Sequence, residues 1–256
     1  MQLRCASLVL FSTLATAACA TPVDRGDAKA SDDALQGGAV DEGDPAVGAI
    51  WQTGLGEVCT GTLIAPDVVL TAAHCVADVT RLSFMTGTGT AQSEFAHAPP
   101  STLTGHAVVA GAVHPSYVAA GARCPNATID VGLLRLAAPI TDITPLLPST
   151  TLGTRAGQTC NGVGFGLHNE QADTSAGQKR TGTAIVKTTA ARSIEVSAGT
   201  GIADSGDSGG PLLCGGKLVG VVSCHIDGYY PLHKVEHYAR VDVAAAWIES
   251  ELAAWH

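Results

Sequence analysis

The chain has 256 residues, of which 46% are hydrophobic and 14% are charged, so it is long and apolar enough for a substantial core and is not a disordered chain. The formal net charge of −9 argues against nucleic acid as a partner, because phosphate binding calls for a basic surface. The 30 glycines together with the low charged fraction favour a strand-rich, turn-rich fold over a helical one.

The first 20 residues have the pattern of an export signal. Arg4 supplies a positive charge, and residues 6–18 are mostly apolar or small, as in a secretory signal peptide. This run is too short for a transmembrane helix, and no other stretch of the sequence is long enough. Residues 16–19, Thr-Ala-Ala-Cys, also resemble a bacterial lipobox. Two locations therefore stay open: secretion to the extracellular space, or a lipid anchor at the bacterial envelope through Cys19.

Residues 21–34 are polar and charged, with too few apolar side chains to fold alone. We interpret them as a propeptide or linker between the signal peptide, residues 1–20, and a compact domain, residues 35–256.

From Ala46 onward, short apolar runs alternate with turn residues at intervals suited to a sandwich or barrel. Val and Thr are frequent in these runs, as strands prefer. The runs cover residues 47–51, 61–64, 68–73, 107–113, 131–136, 183–187, 193–196 and 218–223. The one helix expected covers residues 242–254, where Val243, Trp247, Ile248 and Leu252 form an apolar stripe at near-helical spacing. The pattern predicts an all-β protein with a C-terminal α-helix, and two barrels of similar size would fit the length.

Three short segments carry side chains suited to nucleophilic catalysis. Residues 71–75, TAAHC, place His74 just past a strand, and Asp130 stands at the mouth of the apolar run 131–136. Residues 203–212, ADSGDSGGPL, set Ser208 among glycines, which let a substrate approach the main chain. Each segment alone is compatible with a structural role. Together they supply the nucleophile, base and orienting acid that serine catalysis needs.

These segments also carry a family resemblance. TAAHC (71–75), DVGLLRL (130–136) and GDSGGPL (206–212) resemble the three signature blocks of trypsin-like, chymotrypsin-fold serine endopeptidases, in that family's chain order. The resemblance extends from about Leu35 to the C-terminal helix. It implies two six-stranded antiparallel β-barrels with the active site between them.

The resemblance also implies a role for each reactive residue. Ser208 is the nucleophile, His74 takes its proton and later gives it to the leaving amine, and Asp130 orients His74. The backbone N–H groups of Gly206 and Ser208 form the oxyanion hole. The implied reaction is hydrolysis of peptide bonds in proteins through an acyl-enzyme intermediate.

The cysteines are expected to form disulfides. Eight cysteines become six when Cys5 and Cys19 are assigned to the export signal, and an even number in an exported chain predicts a disulfide framework whose pairing the residues alone leave open. The resemblance implies the pairs Cys59–Cys75 and Cys160–Cys214, and we hypothesise that Cys124 and Cys224 bond to each other beside the substrate cleft.

Activation by cleavage is a further implication of the resemblance. In the family a new aliphatic N-terminus inserts and pairs with the acid before the serine, here Asp207. Leu35 is the candidate N-terminus. The residue before it, Ala34, is neither Lys nor Arg, so a tryptic self-cut at that bond is not expected.

Substrate preference is left open by the residues at the family's specificity positions. Ile202 would favour an apolar side chain before the cut bond, Glu236 a basic one and His225 an acidic one. Asp204 stands where most members have a cysteine, so the usual bond across the pocket wall is missing. Ser223 is expected to pair with extended substrate through its backbone and to reach Asp130 with its hydroxyl. The residues expected to contact substrate are Ile202, Ser205, Ser223, Cys224, His225 and Glu236.

The mechanism that the resemblance implies needs no cofactor, and we expect no metal site, because the sequence contains no CxxC or HExxH motif. The expected partners are protein or peptide substrates and protein protease inhibitors, and the chain is expected to be a monomer. The rival hypothesis is a catalytically silent trypsin-like homologue that acts as a binding or regulatory module. A serine esterase of α/β type is excluded, because it needs the order Ser, Asp, His.

Overall fold

The computed structural model describes residues 38–54, 58–76, 78–92, 98–119, 128–168, 176–225 and 235–256. Their strands are β1 (Ala39–Val40), β2 (Val47–Gln52), β3 (Val58–Ala65), β4 (Val68–Thr71), β5 (Leu82–Thr86), β6 (Gly89–Gln92), β7 (Thr104–Val113), β8 (Gly132–Leu136), β9 (Thr159–Gly164), β10 (Ala176–Gln178), β11 (Arg180–Thr189), β12 (Ser193–Ala198), β13 (Pro211–Cys214), β14 (Lys217–His225) and β15 (Val235–Arg240). Short 3₁₀ turns cover Ala73–Cys75, Val79–Arg81 and Asp242–Ala244, and the helix α1 covers Ala245–Trp255.

The first barrel is closed by six antiparallel strands in the order β2-β3-β4-β8-β7-β5. Apolar side chains from all six strands alternate inward and pack together, as the period of two along each strand allows. Its core includes Ile50, Leu63, Val69, Phe84 and Leu134, each at most 2% exposed.

The second barrel is closed by β9, β11, β12, β15, β14 and β13, because β9 pairs with both β13 and β11. Its core includes Val186, Ile194, Leu212, Val222 and Tyr238. The edge strand β1 pairs with β11, and β6 and β10 form a separate two-stranded ribbon. The two six-stranded antiparallel barrels confirm the expected fold.

A third cluster joins the barrels to the C-terminal helix. Leu70 and Leu133 of the first barrel, Leu218 and Val221 of the second, and Ile248 of α1 lie in one buried group. Burial of such side chains is worth about 1.5–3 kcal/mol each, so this cluster holds the two barrels in a fixed relation. A site at their junction is therefore preorganised.

The helix stripe is confirmed, because Val243, Trp247 and Leu252 pack against the cluster that contains Ile248. The α-helix begins later than expected, since residues 242–244 form a 3₁₀ turn. Both oxygens of the Asp242 carboxylate are held by the guanidinium of Arg240, at 2.6 and 3.0 Å, and the side chain does not cap the helix. Among the described residues, no helix is both long and apolar enough to span a membrane.

Two strands are shorter than the sequence predicts. The run 68–73 ends as a strand at Thr71, because the chain turns into the 3₁₀ segment that carries His74. The run 131–136 becomes a strand only at Gly132. Both shortened ends lie at the site described next.

Candidate active site

The antiparallel pairing of β4 and β8 brings His74 and Asp130 together. Thr71 is the Cα partner of Gly132, so the turn that follows β4 lies beside the residues that precede β8. The Oδ2 atom of Asp130 lies 2.8 Å from Nδ1 of His74, and its Oδ1 atom accepts the backbone N–H of His74 at 3.1 Å. Two contacts to one carboxylate fix both the ring and the turn that carries it.

Asp130 is held in its ionised form. The residue is 5% exposed, and this burial works to raise the pKa of its carboxyl. Hydrogen bonds from His74 and from the Ser223 hydroxyl, at 2.7 Å, outweigh burial, so the pKa of Asp130 lies below its usual value. An ionised Asp130 accepts the proton on Nδ1, which leaves Nε2 of His74 as the acceptor for a further proton.

The loop that carries Ser208 is docked on the first barrel. The backbone N–H of Thr60 on β3 donates to the carbonyl of Ser208 at 2.8 Å. Gly209 has a φ of +81°, and a Cβ at this position would collide with the Thr71 hydroxyl and the Thr60 carbonyl. Only glycine fits this approach. This close approach places Ser208 beside the 3₁₀ turn that carries His74, and the Ser208 carbonyl lies 3.5 Å from Sγ of Cys75.

The structure brings Asp130, His74 and the Ser208 loop to one place at the junction of the barrels. Between the described residues His74 and Ser208 it contains no hydrogen bond. Such contacts are often long in unliganded enzymes and tighten with substrate.

Each of the two expected oxyanion donors belongs to a peptide whose carbonyl oxygen accepts a hydrogen bond, and this bond fixes the direction of the donor. The N–H of Leu167 donates to the carbonyl of Ser205, and the N–H of Gly210 donates to the carbonyl of Asp207, each at 2.8 Å. Because a trans peptide points its N–H opposite to its C=O, the N–H groups of Gly206 and Ser208 face away from these partners. Among the described residues neither N–H has a protein acceptor. Two unused donors are what a developing oxyanion requires.

Asp207, the residue before the serine, is buried and carries two hydrogen bonds. Its Oδ1 accepts the N–H of Gly166 at 2.8 Å and its Oδ2 accepts the N–H of Asp204 at 2.9 Å, with 1% of the residue exposed. Burial, which the two hydrogen bonds only partly offset, raises the pKa of Asp207 to about 7, and the nearby charge of Asp204 acts in the same direction. The predicted N-terminus Leu35, like the predicted segments 1–20 and 21–34 and Cys19, lies outside the described residues.

The expected specificity residues occupy different environments. Ile202 is 3% exposed, Ser205 is exposed, and Ser223, Cys224 and His225 are half-buried at the end of β14. Glu236 is 2% exposed and is the Cα partner of His225 on β15.

Three carboxyl groups come together behind the Ser208 loop. Burial raises the pKa of Glu236 well above its usual value, and the charges of Asp207 and Asp204 raise it further. All three residues are at most 5% exposed. We name Asp204, Asp207 and Glu236 the acidic cluster. Sequence reasoning assigned each residue separately and did not predict that they would interact.

Two of the expected disulfides are present, Cys59–Cys75 and Cys160–Cys214. The first closes a 16-residue loop that ends beside His74. Cys224 is also disulfide-bonded, and its predicted partner Cys124 lies outside the described residues.

Within the described part of the chain, one group of side chains is close enough to suggest a metal site: Cys59, His74 and Cys75, whose ligand atoms lie within 4.8 Å of one another. The two sulfur atoms are joined in a disulfide and are not the thiolates that bind metal ions. This group therefore offers one ligand only, the His74 ring.

Thr60 is a site residue that the sequence analysis missed. It is fully buried, and its hydroxyl lies between the carbonyl of Gly206 and the N–H of Phe165. The one available signal was its position directly after Cys59, in a run that otherwise reads as an ordinary strand.

Comparison with known proteins decides the family. The trypsin family model matches residues 39–248. The chain belongs to the trypsin family. Within that family, human kallikrein-15 is 30% identical over 203 residues, which span 68% of this chain and 74% of the kallikrein. A beta-fibrinogenase-like protein of Daboia siamensis is 29% identical over 213 residues, 76% of this chain and 78% of its own length.

The fold of the trypsin family is also found by structural comparison. Neuropsin, a serine protease expressed in the limbic system of mouse brain, superposes with a TM-score of 0.67 and 22% sequence identity. The match covers 84% of this chain and 98% of the neuropsin chain.

Proposed function

We propose that this chain is a serine endopeptidase that hydrolyses peptide bonds in proteins through an acyl-enzyme intermediate. The observation that carries the proposal is the His74 ring, hydrogen-bonded to an ionised Asp130 at 2.8 Å, beside a loop that presents Ser208 and two unused N–H donors. A silent homologue has no need of this arrangement, and the loss of any one of the three side chains would be tolerated in it.

In the proposed first step, Oγ of Ser208 attacks the carbonyl carbon of the substrate while its proton moves to Nε2 of His74. The electron pair of the carbonyl moves to its oxygen, and the N–H groups of Gly206 and Ser208 stabilise that oxyanion. Asp130 stays ionised and stabilises the imidazolium. The C–N bond then breaks, and His74 gives its proton to the leaving amine.

The second half of the reaction repeats these roles with water. His74 takes a proton from the water as its oxygen attacks the acyl carbon, and the same two N–H groups hold the second oxyanion. When the ester bond breaks, the proton returns from His74 to Oγ of Ser208. The carboxylic acid product leaves and the site is restored.

The substitution Ser208→Ala tests this proposal. We expect hydrolysis of a fluorogenic peptide or of a denatured protein substrate to fall by roughly a millionfold, because nucleophile loss in another serine protease has an effect of that size. A purified Ser208→Ala protein that keeps activity near the wild-type level would reject the mechanism. Its circular dichroism and melting temperature serve as the folding control.

For the substrate we propose a preference for a basic residue before the cut bond, with Glu236 as the selecting group. Ile202 is apolar and buried and offers no charge to a substrate. Glu236 lies within the acidic cluster, whose mutual repulsion a cationic side chain would relieve. His225, the neighbour of Glu236 across the strand pair, would favour an acidic residue at the same substrate position. A panel of peptides that differ only in the residue before the cut bond decides between the two preferences.

We also propose export and activation by cleavage before Leu35. Disulfides persist in oxidising compartments outside the cytosol, which supports export. Residues 38–40 are anchored to the second barrel, since the Gly38 carbonyl accepts a hydrogen bond from Arg180 at 3.1 Å and β1 pairs with β11. N-terminal sequencing of active protein tests the cleavage site, and a start well before Leu35 would reject it.

A further inference from the structure

The hydroxyl of Thr60 is buried beneath the Ser208 loop and is hydrogen-bonded to its backbone. It donates to the carbonyl of Gly206 at 3.0 Å and accepts the N–H of Phe165 at 3.1 Å. Thr60 is 0% exposed, so water does not replace either contact. One hydroxyl in the first barrel therefore bonds to two segments of the second, the residue that follows β9 and the loop before Ser208.

Gly206 is the residue whose orientation this contact controls. Its φ is +95°, and glycine has access to many other conformations because it lacks a Cβ. The preceding peptide is held by the bond from the Leu167 N–H to the Ser205 carbonyl, at 2.8 Å. The following peptide is held by Thr60 through the Gly206 carbonyl. With both peptides fixed, the N–H of Gly206 has one direction.

We propose that Thr60 is a positioning residue for catalysis: by holding the Gly206–Asp207 peptide through the Gly206 carbonyl, it restricts the backbone torsions of Gly206 and so keeps the Gly206 N–H, which lies in the preceding peptide, aimed at the oxyanion. This inference rests on the proposed function, since the oxyanion forms only if Ser208 attacks a carbonyl. Thr60 touches neither substrate nor the reacting atoms. It acts through Gly206, so its removal affects the transition state more than substrate binding.

The strand β3 supplies a matched control. Thr62 lies two residues along the same strand and is also 0% exposed, and its hydroxyl has no hydrogen-bond partner among the described residues. Val has nearly the shape of Thr without the hydroxyl. The variants Thr60→Val and Thr62→Val therefore make the same chemical change at two buried positions. Only the hydroxyl at position 60 is hydrogen-bonded to the Ser208 loop.

The test measures kcat and KM of both variants and of wild type on one peptide substrate. Removal of a whole oxyanion donor lowers kcat by about 10²–10³-fold, and a misaimed donor should lose part of that, so we expect about a tenfold lower kcat for Thr60→Val. KM should change by less than about twofold, because ground-state contacts are intact. Thr62→Val should match wild type in both constants.

A peptide boronic acid supplies the second readout, because its tetrahedral adduct with Ser208 places an oxygen in the oxyanion hole. We expect its affinity to fall in Thr60→Val by the same factor as kcat, while the same peptide without the boronic acid group, which places no oxygen in the oxyanion hole, binds with an affinity changed by no more than about twofold. A general loss of structure would weaken both ligands alike. The comparison of the two ligands therefore separates positioning from stability.

A second pair of variants covers the case in which Thr60→Val does not fold. Thr60→Ser keeps the hydroxyl and Thr60→Ala removes it, while both lose the methyl group. Thr60→Ser should recover most of the kcat that Thr60→Ala loses. Equal kcat and boronate affinity in Thr60→Ala and Thr60→Ser, or in Thr60→Val and Thr62→Val, would overturn the inference. A wild-type protein that neither hydrolyses peptides nor binds the boronic acid would instead overturn the proposed function.

Discussion

Asp207 should make the uncut chain less stable as the pH rises. Its carboxyl is buried, and its pKa is raised from 3.8 to about 7. The pKa of this carboxyl is higher in the folded state than in the unfolded state. At pH values between these two pKa values, the folded protein therefore binds more protons than the unfolded protein. The free energy of unfolding therefore falls from about pH 4 to about pH 7. The perturbation that isolates this effect is Asp207→Asn, made in the Ser208→Ala background to prevent self-cleavage.

The magnitude follows from the pKa difference. A shift from 3.8 to about 7 corresponds to roughly 4 kcal/mol, at about 1.36 kcal/mol for each pH unit. Asparagine does not titrate. We therefore compare two proteins, Ser208→Ala and Ser208→Ala with Asp207→Asn. Between pH 4 and pH 8 the free energy of unfolding of the Asp207 protein should fall by roughly 4 kcal/mol relative to that of the asparagine variant. Asp204 and Glu236 are present in both proteins, so the part of their titration that does not depend on the Asp207 charge cancels.

The assay is urea unfolding of both oxidised proteins at several pH values between 4 and 8, followed by tryptophan fluorescence. A difference that does not change with pH would show that Asp207 is ionised and stabilised throughout, and it would refute the reasoning. The same measurement on chain cleaved before Leu35 tests the activation proposal. There the new amine should stabilise the Asp207 carboxylate, and the pH-dependent difference should largely disappear.

Three other predictions concern the disulfide, the orienting acid and the selecting group. Replacing Cys59 and Cys75 by Ala should lower the free energy of unfolding by about 3 kcal/mol, from the entropy of a 16-residue loop; a loss below about 1 kcal/mol in urea unfolding would contradict this. Asp130→Asn should lower kcat by about 10⁴-fold, because the Nδ1 proton of His74 loses its acceptor; a kcat within tenfold of wild type would show that His74 is oriented by other contacts. Glu236→Gln should reduce kcat/KM for peptides with Lys or Arg before the cut bond and leave apolar peptides unchanged, and a uniform change across the panel would reject Glu236 as the selecting group.

The proposed catalytic residues could be identified as candidates from the sequence because their chemistry is concentrated in short segments. His74, Asp130 and Ser208 each stand in a local pattern of strand end or glycine turn, and their order along the chain excluded the α/β esterases. The antiparallel pairing of β4 with β8 then brings His74 to Asp130. Apolar runs predicted five of the six strands of the first barrel and three of the six strands of the second, since strand periodicity is a local property.

The contacts that depend on distant segments could not be predicted in this way. Thr60 is 146 residues from Gly206 in the chain, and nothing in its own strand indicates which carbonyl its hydroxyl will meet. The acidic cluster likewise forms only when β15 is placed behind the Ser208 loop. Each of these features is set by the packing of segments far apart in sequence.

The central claim is that Ser208 is a nucleophile activated by His74, and covalent labelling tests it most directly. Wild-type protein, Ser208→Ala and His74→Ala are treated with a fluorophosphonate probe, and the modified peptide is identified by mass spectrometry. We expect one adduct, on Ser208, in the wild type, none in Ser208→Ala and a strongly reduced rate in His74→Ala. An adduct on another residue, or equal labelling of wild type and Ser208→Ala, would contradict the account.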